Sequence, residues 1–167
     1  VGYIAKLLYD KFVKFKVERK ERYLSFIIEE AQNYIPNTSI YPISWSVARE
    51  YLSRIATEGR KFGISLILVS QRPYFIDPVV LSMVNTYIIH RLAPHDVSYI
   101  VKIAGGLPKP IERRITSLPK GVTLITGQMS ILKVPIFVKI GKREIPHRMG
   151  KTRVVDTLTK YAKSQSE

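Results

Sequence analysis

The sequence predicts an α/β fold: a mostly parallel sheet flanked by helices, with a late antiparallel strand pair. Three observations predict it. The run Tyr23–Ile28 (YLSFII) is short, unbroken and rich in aromatic and β-branched residues, as expected of a strand buried on both faces of a parallel sheet. Ile64–Val69 (ISLILV) is a second such strand and Thr86–Leu92 (TYIIHRL) a third, with helical patterns in between. Gly121–Thr126 and Val134–Ile140 are separated only by the turn-rich Gly127–Lys133, which suits an antiparallel pair.

Each element has a local reason. Residues 1–22 carry an apolar stripe (Ile4, Leu7, Leu8, Phe12, Val13, Phe15) among lysines, which reads as a basic amphipathic helix. The charge-dense Lys14–Arg22 ends it in a solvated turn. After the first strand, residues 33–44 form a loop broken by Pro36 and Pro42. Ser44 is the expected cap of a helix over Ser46–Lys61, with Val47, Tyr51, Leu52 and Ile55 on one face and Gly59 and Gly63 at its end. Trp45 reads as a packing anchor. The second strand is stopped by Arg72-Pro73, and short helices are expected at Pro78–Met83 and Pro110–Leu118. Pro94–Ala104 reads as a helix closed by Gly105-Gly106. The basic stretch beyond Gly141 has one expected helix, Val154–Lys163, with Val154, Val155, Leu158 and Tyr161 as its stripe.

Composition narrows the function. The 167 residues are 46% hydrophobic and 24% charged, enough for a core and against wholesale disorder. No cysteine is present, which excludes disulfide scaffolds, thiolate metal sites and cysteine nucleophiles. No apolar run approaches the ~20 residues of a membrane span, and the N-terminal stretch lacks the apolar core and cleavage site of a signal peptide. A soluble cytoplasmic protein is the expectation. His90, His95 and His147 are too scattered for a metal triad and read as structural or exposed. The formal charge of +14 calls for a polyanionic partner. It concentrates in the first 22 residues, in Lys102–Arg114 and beyond Lys133. Thermophile-style ion-pair networks would need more acids than the thirteen present. The segment AGGLPKPIERR at 104–114, with Lys109, Arg113 and Arg114, is a candidate DNA contact.

Three features carry chemistry. In FIIEEA at 26–31, a buried strand ends in Glu29 and Glu30, where open α/β sheets bind ligands. Adjacent carboxylates suit phosphoryl transfer, one orienting hydrated magnesium and the other acting on the attacking water. They also suit a plain acidic loop start. In ILVSQRP at 67–73, Gln71 ends the adjacent strand and can bond a phosphate oxygen and a water without carrying charge. Between them, Arg54 and Arg60 lie in SRIATEGRKFG, where a guanidinium could reach a neighbour's phosphate or simply complement the helix dipole.

Taken together, FIIEEAQNYIP, SRIATEGRKFGISLILVSQRP and NTYIIHRL, followed by LPKGVTLITG and VPIFVKI, resemble the C-terminal half of the ATPase core of the HerA family. These are hexameric DNA translocases related to FtsK, with a RecA-like P-loop NTPase fold. The resemblance covers about Tyr23 to Ile140, and GRKFGISLILVSQRP is its most specific string. It implies that Glu29 and Glu30 are Walker B acids, with Glu29 on the Mg2+ side and Glu30 activating water. It implies that Gln71 is the γ-phosphate sensor and that Arg54 or Arg60 acts in trans. It further implies ATP as cofactor, double-stranded DNA as substrate, a homo-hexamer, and a NurA-type nuclease partner in end resection for recombinational repair. On this reading 1–140 is ATPase core, and 141–167 is a basic brace on a neighbouring subunit. A non-catalytic basic DNA-binding or oligomerisation module with a degenerate ATPase fold is the alternative.

The sequence departs from the family at one place. A phosphate loop needs G-x-x-x-x-G-K-[ST] between strand and helix. The only GK[ST] is Gly150-Lys151-Thr152, and Ile145 stands where the first glycine should be. The chain also starts at Val1 rather than methionine. The expectation is therefore the C-terminal portion of a longer ATPase, with an exposed sheet edge and a half-lined nucleotide cleft. Without the backbone nest and its lysine, most triphosphate affinity is lost. This chain alone is expected to hydrolyse ATP negligibly; turnover like that of a HerA-type helicase with its own phosphate loop would contradict this.

Overall fold

In a computed structural model, residues 1–42, 46–128, 130 and 134–141 are described. The expected N-cap Ser44, Trp45, the helix over Val154–Lys163, the 141–167 brace beyond Gly141, His147 and the Gly150-Lys151-Thr152 sequence lie outside them. The elements run α1 (Gly2–Val17), β1 (Leu24–Ile28), α2 (Val47–Phe62), β2 (Ile64–Leu68), α3 (Pro78–Ser82), β3 (Thr86–Ile89), α4 (Pro94–Ile103), α5 (Lys109–Ile115), β4 (Val122–Gly127) and β5 (Ile136–Lys139). These follow the order in which the sequence predicts them, with ends shifted by a few residues.

Helix α2 shows how local chemistry sets an element. Its cap is Ser46, whose side chain accepts from the Arg49 N–H at 3.2 Å. It ends at Gly63, whose φ of +84° is left-handed, and a Cβ there would strike the Arg22 carbonyl. That close approach seats the start of β1 beside the end of α2, where Leu24 N–H donates to Gly63 O at 2.9 Å. Leu52 and Ile55 point into a core that includes Ile28, Ile35, Ile64, Ile76, Ile115 and Leu124.

β1 and β2 pair in parallel, from Leu24 with Ile64 to Ile28 with Leu68. Two expectations need correcting here. These strands are not buried on both faces. Exposure alternates along them, and Ile27 (58%), Ile67 (43%) and Val69 (47%) are open on the outer side. The reason is that α2 covers one face and nothing among the described residues covers the other. Second, β3 does not extend the parallel ladder. It pairs antiparallel with β4, which pairs antiparallel with β5, so the antiparallel part takes in three strands. The connection after β2 is drawn aside first. Ile76 bridges Pro36, and Asn37 and Asp77 exchange backbone bonds with Phe75 and Ile35. Among the described residues β1 has β2 as its only ladder partner, which leaves its other edge open.

α1 packs on α2 through aromatic rings. Tyr9 meets Tyr51 and Phe62 edge-on at 5.9 and 5.6 Å, and its hydroxyl donates to Glu58 at 2.5 Å. Burial, and then the bond to Glu58, pushes the Tyr9 pKa from 10.0 up to about 12. A raised folded-state pKa on an acid means stability present below the unfolded value and lost as pH rises through the folded one. The melting temperature should therefore fall between pH 10 and about 12, and by less in Tyr9→Phe. Equal alkaline slopes for the two proteins would show that this contact contributes nothing.

Candidate functional site

The site forms where β1 and β2 end together. The ladder closes with Val69 N–H on Ile28 O at 2.9 Å, and the next bond joins Ala31 N–H to Val69 O at 3.0 Å. Glu29 and Glu30 are thus looped out between two fixed points. Glu30 takes a left-handed backbone (φ 49°, ψ 49°) and starts the short 3-10 helix Ala31–Asn33. For a residue with a side chain this conformation costs on the order of 1–2 kcal/mol. Such strain persists only where surroundings impose it, commonly at functional sites.

The turn carries the Glu30 carboxylate across to the end of β2. Its Oε1 accepts from Gln71 Nε2 at 3.0 Å, and its Oε2 accepts from Gln32 Nε2 at 2.6 Å. Gln32 is fixed in turn by Ser70, whose hydroxyl donates to Gln32 Oε1 at 2.6 Å. Ser70 Oγ also accepts from Arg72 N–H at 3.0 Å. Glu29 lies beside this group with its side chain exposed. Of the residues singled out by sequence, Glu29, Glu30 and Gln71 come together. Gln32 and Ser70 were not singled out. The only signal was their adjacency to the acid pair and to Gln71.

The arginines lie elsewhere. α2 runs back from the carboxyl edge of the strands, so Arg60 in its last turn is at the opposite edge from Glu30. Five strand residues at about 3.3 Å each separate the two edges. Arg60 is exposed and, among the described residues, forms no ion pair. Arg54 is tied down by Glu50 Oε1 at 2.9 Å and stacks over Tyr51 at 5.3 Å. Neither is bonded to Glu29 or Glu30 among the described residues. On α5, Lys109 pairs with Glu112 at 2.8 Å, Arg114 lies over the Phe137 ring at 4.4 Å, and Arg113 is exposed. His90 is exposed and His95 meets Tyr74 edge-on at 4.0 Å.

A second polar group supports the site from below. Arg49 Nη2 contacts Asp77 Oδ2 at 2.9 Å, and Asp77 is almost fully buried. The other Asp77 oxygen caps α3 through Val79 and Val80 N–H. Buried Asn37 donates to Tyr74 O, Tyr99 OH donates to Ile76 O, and Asp96 accepts from Tyr74 N–H. The Asn37 bond joins the loop after Glu30 to the loop after Gln71, and the other two tie that second loop to α4. Among the described residues no cluster of three His, Asp or Glu side chains could cage a metal, and no helix is long and apolar enough to cross a membrane.

Comparison with known proteins decides the family. The DNA double-strand break repair helicase HerA of Sulfurisphaera tokodaii is 37% identical over 119 residues, 71% of this chain and 23% of the relative. The same-named helicase of Saccharolobus solfataricus is 34% identical over 144 residues, 82% of this chain and 27% of its own length. The chain belongs to the HerA family. It spans about a quarter of the length of these HerA relatives. No family model matches it. The genome-packaging NTPase B204 of Sulfolobus turreted icosahedral virus 2, solved with ATP-gammaS, superposes with a TM-score of 0.61 at 18% identity. That match covers 85% of this chain and 63% of B204. At that identity the likeness concerns the fold, which is the α/β P-loop NTPase core the sequence predicts.

In this HerA-type chain the buried Asp77 both pairs with Arg49 and caps α3. Asp77→Ala is expected to cost about 3 kcal/mol, since it strands a guanidinium and removes a cap. Chemical denaturation measures this; a loss under about 1 kcal/mol would mean that water replaces the aspartate.

Proposed function

We propose that this chain supplies the acids, sensor glutamine and trans arginine of an ATP-driven double-stranded DNA translocase or helicase. The observation that carries the reading is the Glu30–Gln71 hydrogen bond at the shared end of two parallel strands. A degenerate ATPase fold serving only as a basic module would have no use for a sensor amide on an acid held in a strained backbone. The names of the relatives support DNA break repair as the setting.

The residues fit one end of the nucleotide. Glu29 is a single exposed carboxylate in a site without a three-ligand cage, which suits a magnesium ion that keeps most of its waters. When bound, ATP and Mg2+ supply the phosphoryl group and neutralise its charge. No G-x-x-x-x-G-K-[ST] occurs in the chain, so its residues address the γ-phosphate end and not the phosphate cradle. Glu30 aligns the attacking water and takes up its proton. Gln71 trades its bond to Glu30 for one to a phosphate oxygen, linking hydrolysis to the loop at 70–76. Arg60, or Arg54 once released from Glu50, reaches across to a neighbour's nucleotide, because neither faces the acids of its own chain. The assembly is a homo-hexamer, with 1–140 as core and 141–167 as a basic brace on the neighbour. The cations Lys109, Arg113 and Arg114 contact DNA phosphates without reading sequence. A NurA-type nuclease cuts the strands that the motor feeds during end resection, in the cytoplasm.

Glu30→Gln in the full-length protein should abolish DNA-stimulated ATP hydrolysis while leaving assembly, read by light scattering, intact. Unchanged hydrolysis would overturn the assignment.

A further inference from the structure

Glu30 is held at both carboxylate oxygens, and both holds come from one short loop. Gln71 bonds Oε1 directly at 3.0 Å. Ser70, one residue before it, reaches Oε2 through Gln32: Ser70 Oγ to Gln32 Oε1 at 2.6 Å, then Gln32 Nε2 to Glu30 Oε2 at 2.6 Å. The Gln32 amide has one orientation that satisfies this chain, because its oxygen must accept from the hydroxyl and its nitrogen must donate to the carboxylate. The Ser70 hydroxyl is itself oriented, since its oxygen accepts from Arg72 N–H at 3.0 Å. The relay therefore starts on a backbone group and ends on the carboxylate.

The two holds have different chemistry. A general base needs one oxygen available to water and a fixed direction for that oxygen. Gln71 occupies the oxygen that must become available, and its side chain is exposed. Gln32 occupies the other oxygen, and it is half-buried, as is Ser70. We propose that Gln32 and Ser70 are positioning residues for hydrolysis. They anchor Glu30 through Oε2, so that when Gln71 leaves Oε1 for phosphate the carboxylate still points at the water. Without the anchor, Glu30 in its left-handed turn would be free to rotate about its side-chain bonds. Correctly aimed carboxylates would then be a fraction of the whole, with binding of nucleotide unaffected.

This inference rests on Glu30 being the base, so the test separates the two ideas. DNA-stimulated ATPase is measured on the full-length protein for Glu30→Gln, Gln32→Ala, Ser70→Ala and Ser70→Thr. The expected result is complete loss in Glu30→Gln. Gln32→Ala should lose about tenfold or more in kcat with KM for ATP within about twofold, the pattern of a lost alignment rather than a lost binding contact. Ser70→Ala should fall in the same direction by less, and Ser70→Thr should recover because it restores a hydroxyl. Melting temperatures close to wild type are expected throughout. Retained activity in Glu30→Gln would overturn the assignment of the base, and with it this inference. Loss in Glu30→Gln with wild-type kcat in Gln32→Ala would overturn the relay alone. Equal losses in Ser70→Ala and Ser70→Thr would also overturn it, because the hydroxyl would then not be the relevant group. Should Gln32→Ala fail to fold, the Ser70 pair decides by the same criterion.

Discussion

Five residues of β1 hydrogen-bond in parallel to five of β2, and the position of every group at the site follows from that register. Pairing Ile28 with Leu68 brings both strands to an end at the same edge, so that residues two or three positions further on meet. A slip of one residue would turn Ile28 outward and move Glu30 away from Gln71, since strand side chains alternate. The register is held from the inner face, where Ile28 and Ile64 pack with Leu52 and Ile55 of α2. It is held at its start by the contact of Leu24 with Gly63, which admits no side chain. The chemistry at one edge thus depends on a glycine at the other.

The loops that carry Glu30 and Gln71 are also joined further along their course. Asn37 belongs to the loop that follows Glu30, Asp77 to the segment that follows Gln71, and Arg49 to the first turn of the arginine-bearing helix. The Arg49–Asp77 pair and the Asn37 bond tie these segments together, although the buried Arg49 Nε has no hydrogen-bond partner among the described residues. The loop that carries Gln71 is thus bonded, a few residues on, to the loop that follows Glu30.

Much of this was legible in the chain. Unbroken apolar runs ended by EE and by SQRP are local signals, and they led to Glu29, Glu30 and Gln71 without any knowledge of packing. The spacing of Gly121–Thr126 and Val134–Ile140 led to the antiparallel pair. What was not legible depends on distant partners. The apolar runs of β1 and β2 say that these residues favour burial, but not whether a second layer is there to bury them. Nothing local to TYIIHRL tells whether its neighbour is β2 or β4, since both are apolar. Gln32 and Ser70 were hidden for the same reason. Each is an ordinary polar residue until the turn at Glu30 brings them within bonding distance.

Among the described residues the outer face of β1 and β2 is bare, and this has a colloidal consequence. Ile27, Ile67 and Val69 form an apolar strip beside a backbone edge that is unpaired among the described residues, the combination that templates strand addition between copies. Against this stands a charge of +14, which makes copies repel. Repulsion between exposed charges fades within a Debye length, about 10 Å at 0.1 M salt and about 3 Å at 1 M, whereas apolar association does not weaken with salt. The same cations that suit a polyanion thus also act as the gatekeepers of an otherwise adhesive sheet, and a polyanion that neutralised them would bring the sticky faces into reach of one another.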